Sequence, residues 1–195
     1  MPERHTAASK TFTCLGGGGT HPEAELLRFV AGPDGNIHPD LTGKLKTPQQ
    51  AYVLPKRHYV LAAAPALATL FGCPCDGGDL LARTVAQVRK RWLGSLGLAR
   101  KSGALSLGTD KVCDGLQADD IVLVLLARDT AAHTRERVER VAKAAGVPVY
   151  ALAGRDDMSA ALGQQNCAVV GVHDAPQAAT VRIGAKRLHE LENDR

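Results

Sequence analysis

The residues of this sequence best suited to chemistry are basic side chains clustered near its middle. The cluster consists of Arg89, Lys90, Arg91, Arg100 and Lys101. Guanidinium and ammonium groups bind phosphate oxygens by charge and by hydrogen bonding. A short distance further on, Gly108 and Thr109 have the pattern of a helix start, where free backbone N–H groups favour an anion. The predicted chemistry is therefore the binding of a polyanion, and the alternative is a solvated basic helix followed by an ordinary turn.

The basic cluster belongs to a predicted amphipathic helix. Its apolar stripe, in which residues recur three or four positions apart, consists of Val85, Val88, Trp92, Leu96 and Ala99. The basic residues fall largely off this stripe, so we expect them to face solvent. Gly103 is expected to end the helix, residues 104–107 to form a short strand, and Thr109 to begin a second helix.

The run LGSLGLARKSGALSLGTDKV, from Leu93 to Val112, resembles the opening of the ribosomal protein L7Ae/L30e family and its bacterial YlxQ-like relatives. Arg100, Lys101, Gly103 and Gly108 stand at the family's positions. In that family the turn and helix start enter RNA, typically a kink-turn. The resemblance therefore implies RNA contacts at Gly108, Thr109, Asp110 and Lys111. Kink-turn binders read Gly-Ala-Asn-Glu at this point, so the resemblance implies RNA binding and leaves open whether the RNA contains a kink-turn.

The rest of the second half of the chain reads as alternating strands and helices. Predicted strands cover 121–127, 147–152 and 167–172, and predicted helices run to 145, over 156–162 and over 177–191. Asp129 or Thr130 is expected to cap the first of these helices, and Asp156 or Asp157 the second. The alternation predicts a three-layer α/β/α sandwich.

The L7Ae/L30e-like resemblance spans residues 80–190 and implies where two further arginines lie. Arg128 follows a predicted strand and Arg155 lies in a predicted loop. In the family fold both would lie on the same rim as Gly108. Each is a candidate phosphate contact, and each is equally readable as an ordinary surface charge.

The first part of the chain predicts a small α+β domain. Leu26–Val30, the turn at 32–35 and residues 36–38 form a predicted hairpin, followed by a strand at 51–54 and a helix over 56–71 that Pro65 could kink. Residues 1–13 are expected to be loose. The run Gly16–Gly19 lacks the Lys and Ser or Thr of a phosphate loop, so a flexible connection is expected.

Residues 12–70 resemble the YlxR family, small bacterial domains regarded as nucleic-acid binders. The resemblance rests on Cys14, the run Glu25–Val30, the turn 33–35, Pro39-Asp40 and Ala51–Val53. The family's Gly-Arg-Gly is replaced by residues 46–50 here. The implied contacts are therefore Lys44, Lys46, Lys56 and Arg57, together with Arg28. By itself Arg28 reads equally well as a solvent-facing strand residue, and Tyr52 reads as a core or edge aromatic.

Composition limits the functional classes. The chain has 195 residues, is 45% hydrophobic and carries a net charge of +4. Aromatic residues make up 4%, which argues against a base-stacking platform. No apolar run is long enough for a membrane span and no signal peptide is evident, so we expect a cytoplasmic protein without a membrane partner.

No enzyme motif is evident. The five cysteines are scattered, and Cys73-Pro74-Cys75 lacks the second pair of a zinc site. The histidines are dispersed, and Asp119-Asp120 and Asp156-Asp157 read as caps. We therefore expect no catalytic residue, no metal and no cofactor.

The sequence predicts an RNA-binding protein of the bacterial type. We expect a tail over 1–11, a YlxR-like domain over 12–72, a connection over 73–79 and an L7Ae/L30e-like domain over 80–192. Structured RNA is the expected partner, and the ribosome or the transcription machinery is the candidate setting. The alternatives are a protein-interaction module that uses the basic helix and an accessory protein of RNA modification.

Overall fold

The computed structural model describes residues 10–193, so residues 1–9 of the predicted tail lie outside the described residues. The described chain is 49% helical and 20% strand, which confirms the predicted α/β class. It divides into two compact units: the first holds residues 10–88 and 190–193, and the second holds residues 89–189. Over the described residues, no helix is both long and apolar enough to cross a membrane.

The first unit begins with a hairpin that sequence reasoning missed. Strand β1 (Thr11–Thr13) pairs antiparallel with β2 (Thr20–Pro22). The ring of Phe12 stacks on that of Tyr52 with centroids 3.9 Å apart, which ties β1 to the rest of the unit. The glycine run is a tight turn beside Tyr59, and a Cβ on Gly16 would lie 2.1 Å from the Tyr59 carbonyl oxygen. Close packing explains Gly16 and Gly18, and the positive φ angles of Gly17 and Gly19 explain the other two glycines. The expectation of a flexible connection is therefore wrong.

The remainder of the first unit follows the prediction. Strands β3 (Leu27–Ala31), β4 (Ile37–Pro39) and β5 (Ala51–Val53) form an antiparallel sheet in the order β4-β3-β5. Helix α1 (Arg57–Phe71) buries Val60, Ala63, Ala64 and Leu67 and continues through Pro65. Gly72 closes it in the left-handed conformation, with φ of 65°. Helix and sheet thus form the predicted two-layer α+β arrangement.

The second unit holds a four-stranded mixed sheet. Its elements are the later part of α2 (Gly77–Lys101), β6 (Leu105–Leu107), α3 (Thr109–Gln117), β7 (Ile121–Ala127), α4 (Ala132–Ala144), β8 (Val149–Ala153), α5 (Arg155–Leu162), β9 (Val169–His173) and most of α6 (Ala179–Asn193). The strand order is β6-β9-β7-β8. β9 is antiparallel to β6 and β7, whereas β8 is parallel to β7.

Helices cover both faces of this sheet. Val124 and Leu126 of β7 belong to a core cluster that includes Val112 of α3 and Val138 of α4. Because successive strand residues face opposite sides, Leu125 points away from α3 and α4. It is fully buried, so α2, α5 and α6, the remaining helices of the unit, cover the second face. This is the three-layer α/β/α order that the alternation predicts.

The predicted caps of α4 and α5 are wrong. Ala131 is the N-cap residue of α4, and Gly154 is that of α5. Asp156 and Asp157 lie inside the first turn of α5, where their negative charge still suits the helix dipole. Helix α2 begins at Gly77, so residues 77–79 of the predicted connection are helical.

Candidate nucleic-acid interface

The register of the second sheet brings four chain segments together at one edge. The carboxyl ends of β6, β7 and β8 lie beside the amino end of β9. Backbone hydrogen bonds fix this edge: the N–H of Gly108 donates to Val169 O at 3.0 Å, and that of Ala127 donates to Ala168 O at 2.8 Å. We call the segments that follow these strand ends the rim: residues 108–111, 128–131, 154–155 and 163–168. Gly108, Arg128 and Arg155 lie on it, as the resemblance implies.

Helix α3 presents an open amino terminus to the rim. Its N-cap residue Gly108 has φ of 96° and ψ of 154°, a conformation that glycine adopts without steric cost. In residues 10–193 we find no side-chain cap for this helix, and its first intrahelical bond is donated by Val112 to Gly108 O at 3.1 Å. The N–H groups of Thr109, Asp110 and Lys111 therefore have no acceptor within the helix. The Lys111 side chain is exposed.

Arg155 stabilises the rim through hydrogen bonds to other rim residues. Its backbone N–H donates to Asp129 Oδ1 at 2.8 Å, its Nη2 donates to Asp129 O at 3.1 Å, and its Nη1 donates to Asn166 Oδ1 at 3.0 Å. The hydrogen bond from the Arg155 N–H is the main reason that the pKa of Asp129 lies below its usual value. Asp129 thus caps α5 from the preceding loop, and the guanidinium of Arg155 is occupied. Arg155 fixes the rim and does not offer a free cation.

An arginine that sequence reasoning missed lies beside the start of α3. Nη2 of Arg137, on α4, donates to Asp110 Oδ1 at 2.8 Å. The two side chains remain 50% and 80% exposed. No spacing rule links positions 110 and 137 in the sequence. Only the packing of α3 against α4 reveals this pair.

The basic side chains of helix α2 differ in their exposure to solvent. Val88, Trp92, Leu96 and Ala99 are buried and Val85 is half-buried, which confirms the predicted stripe. The exposed cations of the predicted cluster are Lys90, Arg91 and Lys101, whereas Arg89 and Arg100 are half-buried.

Arg100 closes the carboxyl end of α5. Its Nη1 donates to the carbonyl oxygens of Leu162 and Gly163, the latter at 3.1 Å. Lys101 and Gly108 lie on either side of β6, a strand roughly 10 Å long. The sheet therefore does not bring the end of the basic helix directly against the start of α3.

In the first unit, the guanidinium of Arg28 is likewise held by hydrogen bonds within the protein. Its Nη1 donates to Asp40 Oδ2 at 3.0 Å and its Nη2 to Leu45 O at 2.7 Å, and its side chain is only 12% exposed. The expectation that Arg28 contacts nucleic acid is therefore replaced by a structural role. Lys44, Lys46 and Arg57 are exposed, and Lys56 is half-buried.

Asp40 organises the loop that carries these lysines. Its carboxylate accepts the backbone N–H groups of Thr42, Gly43 and Leu45, the Thr42 hydroxyl and the Arg28 guanidinium. Burial alone would raise the pKa of Asp40, but the hydrogen bonds from Thr42 and Leu45 together with the charge of Arg28 hold it below its usual value. Lys44 and Lys46 therefore extend from an ordered loop.

Aromatic stacking is not available at these surfaces. The ring of Tyr52 is buried against Phe12, and its hydroxyl donates to Glu23 Oε1 at 3.2 Å, so the core interpretation of Tyr52 is confirmed. The exposed loop residues Gly163–Asn166 are polar. No aromatic residue occurs in the rim sequence.

Two other clusters of polar side chains, Ser106 with His173 and Cys73 with Cys75, were considered as possible sites of chemistry. Ser106 Oγ lies 3.0 Å from His173 Nε2, and His173 Nδ1 lies 3.1 Å from Asp120 O; both side chains are half-buried across neighbouring strands, which joins β6 to β9. Cys73 and Cys75 are free thiols, and burial raises the pKa of Cys75. Between residues 10 and 193, no group of three or more His, Cys, Asp or Glu side chains is arranged to hold a metal ion.

Comparison with known protein families finds a similarity within the second unit. The model of the ribosomal protein L7Ae/L30e/S12e/Gadd45 family matches residues 90–181. No curated protein matches the chain.

Two solved structures resemble part of the chain. A protein of unknown function from Bacillus halodurans is 29% identical, with a TM-score of 0.47, over 51% of this chain and 98% of that one. A 15.5 kD RNA-binding protein from Giardia lamblia is 16% identical, with a TM-score of 0.43, over 54% of this chain and 88% of that one.

Proposed function

We propose, from the similarity of residues 90–181 to the L7Ae/L30e family, that this protein binds structured RNA at the rim of its second unit. The observation that carries the proposal is the open start of α3, where Gly108 exposes the N–H groups of residues 109–111 beside the ammonium group of Lys111. A phosphate placed there would accept these N–H groups and meet the positive end of the helix dipole.

The charges of the rim support this assignment. Asp110 would by itself repel a phosphate at the start of α3, but Arg137 neutralises it. Asp129 is likewise paired with Arg155, at 3.7 Å between Nε and Oδ2. With both acids paired, the exposed side chain of Lys111 adds a positive charge next to the start of α3. A phosphate bound at the α3 amino terminus would therefore meet Asp110 as part of an ion pair.

The side chains and backbone groups of the rim favour one kind of RNA. Without an aromatic residue, it lacks the stacking platform by which single strands are held. Backbone amides and cations instead grip the phosphates of an RNA whose fold presents them at the required spacing. The polar loop 163–168, which Arg155 holds through Asn166, would lie along the same RNA. We therefore propose a folded stem or internal loop as the ligand.

The other basic residues have a supporting role in the proposal. Arg89, Lys90, Arg91 and Lys101 add to the positive potential that attracts RNA from a distance. We propose that residues 12–72 form a YlxR-like second RNA-contacting domain through Lys44, Lys46, Lys56 and Arg57. The ordered loop around Asp40 supports this, because it fixes the backbone from which Lys44 and Lys46 extend. Transcription, RNA processing or ribosome function would be the setting.

The test compares Lys111→Ala with Lys143→Ala in the full chain. Both lysines are exposed on helices of the second unit, but Lys143 lies in the last turn of α4, away from the rim. The probe is a stem-loop RNA with an internal loop, and the measurement is its affinity as a function of salt concentration. Lys111→Ala should reduce the slope of log affinity against log salt by about one, and Lys143→Ala should leave it unchanged.

A second ligand tests the need for structure. A uridine homopolymer of the same length should bind more weakly than the stem-loop at every salt concentration. Equal slopes for the two lysine variants, or stronger binding of the homopolymer, would contradict the proposed rim site.

A further inference from the structure

An open groove lies between α2 and α5 in the second unit. Its volume is about 590 Å³, and it is lined by Gly94, Gly97, Leu98, Arg100 and Lys101 of α2 and by residues 160–163. No residue of the rim other than Gly163 contributes to it. Apart from Gly163 and Lys101, the lining of the groove has no part in the proposed RNA site.

Two glycines shape the floor of the groove. A Cβ on Gly97 would lie 2.9 Å from Ala161 O, so glycine allows α2 to approach α5 closely there. A Cβ on Gly94, by contrast, would meet no atom within 4 Å. The groove is thus unfilled above Gly94, and the chain places no side chain of its own in that space.

Leu98 forms an apolar wall beside this space. Its side chain is 72% exposed, more than any other exposed large hydrophobic residue in the described part of the chain. A single exposed leucine is ordinary on a protein surface. Next to an open groove floored by glycine and alanine, however, it offers an anchor that an apolar side chain of a partner could cover.

The lining of the groove carries the positive charges of Arg100 and Lys101 and no acidic side chain. Lys90, Gly94, Leu98 and Lys101 are spaced by four, four and three residues, so they lie on one face of α2. Both lysines are exposed, and no acidic residue lines the groove. A second copy of this chain, docked through the same face, would bring like charges together. The lining also lacks an aromatic ring on which a base could stack.

We propose that this groove binds an acidic amphipathic helix of another protein. The apolar side chains of that helix pack on Leu98 and fill the space above Gly94, and its carboxylates pair with Lys90 and Lys101. This is helix-in-groove recognition, in which a few apolar anchors spaced along one helix face carry the affinity. The proposal goes beyond RNA binding and does not depend on it.

The experiment uses the full chain and a displayed library of 20-residue peptides. Leucine is fixed at positions spaced for one helix face, and the other positions are an equal mixture of Glu, Lys, Gln and Ser. Selection on the protein should enrich Glu over Lys. The selected peptides should bind with micromolar affinity that falls as salt is added.

Gly94→Leu is the variant that fills the groove without disturbing the fold. Because the site is helical and open, leucine should fit and should also favour the helix. It should lower the affinity of the protein for the selected peptides at least about tenfold. Leu98→Ala should weaken them by a similar factor, whereas Ala144→Leu, at an exposed position of α4, should leave the affinity unchanged.

Three results would overturn the proposal. The first is enrichment of Lys or of no charged residue at all. The second is a selected peptide that binds the wild type and Gly94→Leu equally well. The third is a Gly94→Leu protein that loses affinity for the stem-loop RNA, which would make the groove part of the RNA interface. None of the three bears on whether Lys111 contacts RNA.

Discussion

Oδ1 of Asp110 in α3 lies 2.8 Å from Nη2 of Arg137 in α4, although 26 residues of chain separate them. This ion pair joins the two helices next to the open amino terminus of α3. It neutralises the only carboxylate in the first turn of α3, and it holds a guanidinium at the edge of the rim. Arg137 is consequently both a partner of Asp110 and a candidate phosphate contact.

We predict that Arg137→Ala weakens RNA binding without unfolding the protein. The variant loses one cation and leaves the Asp110 carboxylate unbalanced, so the salt slope should fall by about one. The free energy of unfolding should change by less than about 0.5 kcal/mol, because exposed ion pairs contribute little to stability. RNA titrations at several salt concentrations and urea denaturation measure the two effects.

Asp110→Asn completes a double-mutant cycle with this change. Removing the carboxylate should restore part of the affinity that Arg137→Ala loses, because repulsion of the phosphate disappears. If the two substitutions have strictly additive effects on RNA affinity, Asp110 and Arg137 do not act together at the site.

We predict that Gly108→Ala is harmful and Gly154→Ala is not. Both glycines are N-cap residues at the rim, but Gly108 has φ of 96° and Gly154 has φ of −74°. Alanine at 108 should cost about 1–3 kcal/mol of unfolding free energy through backbone strain, and it should weaken RNA binding by shifting the start of α3. Alanine at 154 meets no atom within 4 Å. Thermal unfolding and RNA titration of both variants provide the measurement, and equal effects would contradict the role given to Gly108.

We predict that Arg100→Ala destabilises the protein, whereas Lys101→Ala does not. The Arg100 guanidinium satisfies the carbonyl groups of Leu162 and Gly163 at the end of α5, so its loss should cost about 1–2 kcal/mol. Lys101 is exposed, and its truncation should stay within about 0.5 kcal/mol. Urea denaturation distinguishes the two. If Arg100→Ala leaves the free energy of unfolding unchanged, water replaces the guanidinium as the hydrogen-bond donor to these carbonyl groups at no cost in stability.

We predict that Asp40→Asn lowers the stability of the first unit by about 3 kcal/mol at neutral pH. The substitution leaves the Arg28 guanidinium, whose side chain is 12% exposed, without its charged partner. The folded-state pKa of Asp40 is lowered, so the stabilisation is present above the unfolded-state pKa of about 4 and is lost as the pH falls through the folded-state value.

The pH dependence is the discriminating measurement for Asp40. Stability curves of the wild type and Asp40→Asn should converge as the pH falls below about 4, because protonation then removes the charge that the variant lacks. Curves that stay parallel from pH 7 to pH 3 would show that Asp40 acts through shape and not through its charge.

Much of the fold follows from local pattern. The apolar stripe around Trp92 predicts the buried face of α2, the continuous apolar run 121–127 predicts the buried strand β7, and Gly103 and Gly146 follow α2 and α4 with φ of 73° and 69°. These features depend on neighbours a few residues apart, so periodicity and backbone preference are sufficient to predict them.

The candidate site is predicted less completely. The sequence pattern indicates a helix start at Thr109, and the family resemblance implies that Arg128 lies on the same rim. Both are confirmed as positions in the fold. It does not reveal which cations are held by other groups of the chain: Arg28, Arg100 and Arg155 each donate hydrogen bonds to groups at least twelve residues away. Whether any rim residue contacts RNA stays a prediction.

By itself, the amino-acid sequence determined the order of helices and strands, the α/β class and the position of the basic segment, because each depends on short-range periodicity and charge. Only the tertiary structure decided which positive charges remain available. Partners such as Asp40 for Arg28, Asp129 for Arg155 and Asp110 for Arg137 meet through strand register and helix packing, and no local pattern encodes those long-range contacts.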